Sequence, residues 1–264
     1  MLHIKYLVLV LLISLLVGCK MNVEQETAGK EGFQIKKYHY QQPDSLSSYF
    51  SVDINYFQLI GDYDFANVIN NQILDRYQGL VEGNYDNPNI LLDKYFRLEA
   101  ASIDTLIEEA EVENFISYSF NYTAEVVVNN DSLFTFKKSF YEYSGGAHGN
   151  LSESYSNYTV KSTDRLELKD LFTDEELKVL TKMGEQAFRL AQKVPENKSL
   201  QDFGYELENG FYLNKNFLLT DKSIVFYYAP YEIACYAMGE SGFEILYDSI
   251  KAKIPDARLF QFVK

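Results

Sequence analysis

From Phe50 to Tyr56 the chain alternates, with Phe50, Val52, Ile54 and Tyr56 on one side and Ser51, Asp53 and Asn55 on the other. A period of two marks a strand with one buried face. Residues 33–40 (F-Q-I-K-K-Y-H-Y) predict a strand before it, broken by Pro43 and Asp44. The period then changes. Phe65, Val68, Ile69, Ile73 and Leu74 fall at helical intervals within 64–79, with Gly79 as the stop. A second helix is expected over 89–110, its apolar side formed by Leu91, Leu92, Tyr95, Leu98, Ile103 and Leu106.

The middle of the chain returns to strands. Residues 115–128 alternate in part, Asn129-Asn130-Asp131 is turn chemistry, and Leu133–Tyr143 alternates again. With 152–162, these read as a three-stranded meander whose second bend is Y-S-G-G-A-H-G-N (143–150). Thr173 followed by Glu176 is a capping-box signal for a helix running to about Lys193, ended by Pro195 and Asn197. Beyond it, 217–220, 224–228, 243–246 and 258–263 are expected strands, with a short helix over 248–253. Strands grouped apart from helices argue for an α+β fold with antiparallel sheets rather than a βαβ array. Strand, helix, strands occurs twice, so the expectation is helices packed on one face of each sheet and two similar lobes forming one compact unit.

The N-terminus belongs to another category. Lys5 precedes an apolar run from Tyr6 to Val17, the length of a signal-peptide core and short for a spanning helix. The run ends L-V-G-C, which resembles a bacterial lipobox and implies cleavage after Gly18 and acylation of Cys19. A lipid there would fix the protein to a membrane in the cell envelope. Lys20 favours the outer membrane, with the periplasmic or the surface-facing side left open. Residues 19–32 are polar and read as a flexible tether.

Net charge is −14, and losing Lys5 with the leader makes it −15. An acidic chain opposes nucleic acid and anionic lipid and suits a basic partner. Only Cys19 and Cys235 are present, so with Cys19 acylated no internal disulfide is available. Cys235, between apolar neighbours, reads as a buried, inert thiol. The chain has 22 tyrosines, 19 phenylalanines and no tryptophan. Tyr141, Tyr143, Tyr155, Tyr158, Tyr227 and Tyr228 would form either a carbohydrate platform or ordinary sheet packing, and the packing account is favoured.

Chemistry is sparse. Of the three histidines, His148 alone sits in a glycine-rich stretch. No metal-ligand spacing or nucleophile–base arrangement accompanies it, so no cofactor, no metal and no catalytic residue is expected. Gly145 and Gly146 allow positive φ. His148 either points inward to hold the bend or outward to meet a partner. Tyr231 and Glu232 pose the same choice. A hydrolase or transferase acting on cell-wall glycan through His148 and Glu232 is the competing reading.

Together, I-N-N-Q-I (69–73), Y-S-G-G-A-H-G-N (143–150), L-K-D-L-F (168–172) and P-Y-E-I-A-C-Y-A-M-G (230–239) resemble the RsiV-like extracellular domain family with a PdaC-type N-terminal module. The chain departs from that pattern at Cys235, a position often held by proline. After the leader at 1–18 and the tether at 19–32, the resemblance implies a PdaC-type module at 33–163 and an RsiV-like module at 164–264. It further implies a non-enzymatic envelope binding module whose ligand is a basic, lysozyme-like protein or peptidoglycan.

Overall fold

The computed structural model describes residues 24–26, 33–42, 50–61, 64–77, 88–110 and 118–263. The leader and Cys19 lie outside these residues. Among them, no helix is long and apolar enough to cross a membrane.

The first sheet has six strands in sequence order: β1 (Glu24–Glu26), β2 (Gln34–Gln41), β3 (Phe50–Ile60), β4 (Tyr118–Asn129), β5 (Leu133–Tyr143) and β6 (Asn150–Thr159). The alternation in β3 does what its period demands, burying Phe50, Val52, Ile54 and Tyr56. β1 falls inside the expected tether and pairs antiparallel with β2, so that segment is in part an edge strand. Between β3 and β4 run α1 (Asp64–Ile73) and α2 (Pro88–Ala110). They return the chain to the same end of the sheet, and β3 pairs parallel with β4. This one parallel pair departs from the expected antiparallel pattern. A long helical crossover permits it, where a tight turn would not.

Both helices pack on one face. In α2 the buried residues Leu92, Phe96, Ala100 and Ile103 face the sheet, while Leu98 and Leu106 are exposed, contrary to expectation. Phe96 decides the rotation of the helix: its ring contacts Tyr40, Phe50, Phe120 and Tyr77. Asn70 of α1 accepts from Leu59 N and donates to Leu59 O, both at 2.8 Å, and so ties α1 to the end of β3.

The second sheet is smaller: β7 (Phe217–Leu219), β8 (Ser223–Tyr228) and β9 (Ser241–Leu246), all antiparallel. The short α3 (Leu168–Leu171) leads to α4 (Asp174–Ala191), which covers one face of this sheet. The Thr173–Glu176 capping box is present. Phe188 of α4 packs against Tyr205, Phe211, Tyr228 and Phe243. Gly184 lets α4 approach closely, because a Cβ there would lie 2.6 Å from Leu213. The last helix, α5, is Tyr247–Lys253, and the expected strand over 258–263 is instead a 3₁₀ turn at Arg258–Gln261 that buries Leu259. Six strands with a parallel crossover against three in a meander make the lobes unequal rather than similar.

Side chains join the two sheets. Asn157 on β6 is fully buried; its Nδ2 donates to Phe217 O at 2.7 Å and its Oδ1 accepts from Leu219 N at 2.8 Å. Thr135 on β5, also fully buried, donates to Leu219 O at 3.0 Å. These groups stand in for a neighbouring strand along the free edge of β7. Asn216 answers in reverse, accepting from Tyr155 N at 2.7 Å and donating to Glu153 O at 2.8 Å. Ring contact between Tyr155 and Tyr227 fills the space beside them.

Asn157→Ala is expected to leave two buried backbone groups of β7 unpaired and to destabilise the chain by about 2–6 kcal/mol, at about 1–3 kcal/mol per orphaned group. Denaturant unfolding measures this, and loss within a few tenths of a kcal/mol would show that water replaces the amide. A second expectation concerns alkaline pH. Burial raises the phenol pKa of Tyr56, Tyr77 and Tyr122 well above the ordinary tyrosine value. The fold favours their neutral form. Their contribution is therefore complete below pH of about 10 and is lost as pH rises beyond it. With no tryptophan to obscure it, phenolate absorbance should show a late group of tyrosines ionising together with loss of circular dichroism.

Candidate functional site

The bend between β5 and β6 meets the turn between β8 and β9. Gly145 (φ +95°) and Gly146 (φ +92°) take left-handed conformations, and Tyr143 Oη donates to Gly146 O at 2.9 Å. This closes the loop so that His148 projects at its far side. Gly149 is buried, and a Cβ there would lie 2.5 Å from the Tyr141 ring; close approach requires the glycine.

His148 is exposed but engaged. Its ring stacks on Tyr236 with centroids 3.6 Å apart at 12°. Nδ1 lies 3.1 Å from Gly149 O, and Nε2 lies 3.5 Å from Tyr231 Oη. The neutral tautomer with its hydrogen on Nδ1 serves both, donating to the carbonyl and accepting from the phenol. Tyr236 Oη also donates to Gly149 O. The imidazole thus joins residues 83 positions apart in sequence, from the two sheets' separate loops. His148 therefore pins the bend from an exposed position rather than from the interior.

Tyr231 tilts against Tyr236 at 5.6 Å and is 66% exposed. Its φ of +69° is unusual for a bulky residue. Two turn bonds hold it there, Tyr231 N to Ala234 O at 3.1 Å and Glu232 N to Ala229 O at 3.0 Å. Glu232 caps the same turn. Its carboxylate accepts from Ala229 N (2.9 Å), Asn214 Nδ2 (2.7 Å) and Tyr212 Oη (3.3 Å). Burial first, and Glu232 second, raise the Tyr212 phenol pKa. Buried Asn214 spends its second hydrogen on Tyr227 O, and its Oδ1 accepts from Asn216 N. The turn is thereby wired to the asparagine joint between the sheets.

The structure brings Gly145, Gly146, His148 and Tyr231 into one seam and places Glu232 behind it with different partners. Among the described residues, no group of three or more His, Cys, Asp or Glu side chains is placed to hold a metal ion. Cys235 is exposed, not buried as its apolar neighbours suggested, because Ile233 and Ala234 turn inward and leave it on the outer side of the turn. Tyr155, Tyr158, Tyr227 and Tyr228 are buried, which is the packing account; Tyr141 and Tyr143 are half-buried. Sequence reasoning missed Tyr236, Asn214 and Asn216. Tyr236 lay inside the quoted P-Y-E-I-A-C-Y stretch, while an asparagine in a loop gives no sign of a distant backbone partner.

Fold and seam define a two-sheet α+β protein whose lobes, joined by buried asparagine bonds, also meet at a surface histidine–tyrosine contact. Residues 44–151 match the family model "Deacetylase PdaC", and residues 169–248 match that of "Protein of unknown function (DUF3298)". The chain thus carries a PdaC domain followed by a DUF3298 domain, one on each side of the seam. A solved structure of a DUF3298 family member from Bacteroides fragilis is similar over 88% of this chain and 93% of its own, at 20% identity and a TM-score of 0.63. A DUF3298 family protein from Pseudomonas aeruginosa is similar over 89% and 93%, at 17% identity and a TM-score of 0.52. These likenesses establish the fold. No curated protein matches the chain.

A double-mutant cycle of His148→Ala and Tyr236→Ala, read by denaturant unfolding, should give a coupling of about 1 kcal/mol. A coupling near zero would mean that the stack forms without holding the lobes.

Proposed function

We propose that the chain is a non-enzymatic binding module of the cell envelope, held to a membrane by a lipid on Cys19, most simply at the outer membrane. Its partner meets it at the seam of His148, Tyr231 and Tyr236. The observation that carries this reading is Tyr231, a large aromatic side chain kept exposed at positive φ by turn bonds and by contact with the opposite loop. Strained backbone of this kind costs about 1–3 kcal/mol and clusters at ligand clamps. Exposed tyrosine on a rigid turn supplies contact area at little entropic cost. Met238 and Phe203, both partly exposed, extend the apolar surface nearby. The charge, −14 for the whole chain and −15 once Lys5 is lost with the leader, favours a basic partner such as a lysozyme-like protein, for which steering would be electrostatic. Peptidoglycan is the other ligand class, since its sugars stack on aromatic rings.

The test is retention of residues 20–264 on immobilised lysozyme and on insoluble peptidoglycan, with Tyr231→Ala alongside. Binding to one of the two is expected, weakened about tenfold or more by the substitution, as for an exposed aromatic anchor, with thermal unfolding little changed. Retention on neither, or retention indifferent to Tyr231, would sink the reading. The lipid is tested separately by metabolic labelling with a fatty acid, which should be lost in Cys19→Ala.

A further inference from the structure

We propose that the hollow beside the end of α1 is a second binding site, one that takes a polyhydroxylated ring, the chemistry of a sugar. α1 stops at Ile73, and a turn follows in which Tyr77 N donates to Leu74 O at 3.0 Å. Asp75 and Arg76 stand on that turn. Facing them are Lys138 and Phe140 of β5, with Ser154 and Ser152 of β6 as their register partners and so on the same face of the sheet. Tyr122 of β4 adds to the wall, and its Oη donates to Ile73 O. Together these residues line a cavity of about 390 Å³, within the range of small-ligand sites. It shares no residue with the seam of His148, Tyr231 and Tyr236.

The polar groups are held in place before any ligand arrives. Lys138 Nζ donates to Gln72 O at 2.8 Å and lies 3.0 Å from Asp75 Oδ2, so the ammonium closes the end of α1 and fixes the carboxylate. Arg76 sits over Phe140, its guanidinium carbon 3.7 Å from the ring centroid, and Nη2 donates to Glu142 Oε2 at 3.0 Å. A guanidinium carries five N–H groups around a planar rim, and among the described residues only Nη2 of Arg76 is bonded. Neither the Ser152 nor the Ser154 hydroxyl has a hydrogen-bond partner among the described residues, and both residues are exposed.

These groups set the chemistry of the occupant. Lys138 is paired with Asp75 and Arg76 with Glu142, so the cluster has no net charge. An ion of either sign would enter without a counter-charge left over for it. A hydroxyl donates one hydrogen and accepts at two lone pairs. A ring of hydroxyls can therefore accept from Arg76 and the serines and donate to the carboxylates together, and bonds to ionised partners are the stronger kind. Arg76 covers Phe140, and Tyr122 is only 5% exposed. Recognition thus goes through hydroxyl contacts rather than through stacking on an aromatic face.

The test titrates the full chain with glucose, galactose, mannose and N-acetylglucosamine, with inorganic phosphate as the anion control, and follows amide NMR shifts. At least one sugar is expected to bind saturably with a Kd of about 1–10 mM, shifting residues 75–76, 138–140 and 152–154, while phosphate leaves them unmoved. Ser152→Val and Ser154→Val, changes that suit exposed strand positions, should each weaken the sugar by about tenfold without lowering the unfolding temperature. Tyr231→Ala should leave sugar binding at this site unchanged. No sugar bound, shifts confined to other residues, phosphate bound in its place, or binding indifferent to both serines would overturn the proposal. Should the valine variants fail to fold, Arg76→Lys, which keeps the charge and loses the planar fork, decides in their stead, and unchanged sugar affinity there would equally overturn it.

Discussion

Two asparagines hold this molecule together. Asn157 reaches from β6 to the edge of β7, Asn216, just before β7, reaches back to the edge of β6, and each side-chain amide makes the pair of bonds that a peptide group would make. A carboxamide carries both donor and acceptor, so it can complete a strand edge where a methyl or a carboxylate cannot. The need is severe because the joint is buried: an unpaired backbone group there costs more than a hydrogen bond gains. Thr135 completes the set. The sheets thus meet through polar groups that fix a single register, with the Tyr155–Tyr227 contact adding area but no register of its own.

The seam at the surface depends on that joint. Asn216 positions Asn214, Asn214 positions Glu232, and Glu232 caps the turn that presents Tyr231. From the other side, β5 and β6 aim the glycine bend so that His148 lands between Tyr231 and Tyr236. Each component is ordinary alone. Their conjunction gives a fixed aromatic surface at the boundary between a PdaC domain and a DUF3298 domain. The first sheet follows a different logic. Its helical crossover permits parallel pairing, and the β3–β4 ladder ends at Asn55 and Thr123 although both strands continue.

Much of this was legible in the sequence, for a reason that varies by element. Strand alternation at Phe50 to Tyr56 and along β5 is local and survives any topology. So does the Thr173–Glu176 capping box, whose partners are three residues apart. The glycine bend and the P-Y-E-I-A-C-Y turn could both be singled out as candidate sites, since each combines turn residues with reactive or aromatic ones. The apolar side of α2 was misjudged, because Leu98 and Leu106 fit a helical stripe as well as Phe96 and Ala100 do. Only the partner sheet chooses between such stripes.

The sequence carried most of the element types, though not the 3₁₀ turn at Arg258–Gln261, together with the α+β class, the aromatic core without tryptophan and the net acidity. These rest on periodicity, composition and charge, which are properties of neighbours in the chain. Tertiary structure alone decided that β3 and β4 run parallel, that Cys235 faces solvent, that Asn157 and Asn216 exchange bonds, and that His148 meets Tyr231 across 83 residues. Each of these is a relation between distant segments, fixed by the need to pair buried polar groups and to fill the core. One chain read in order carries no mark of either need.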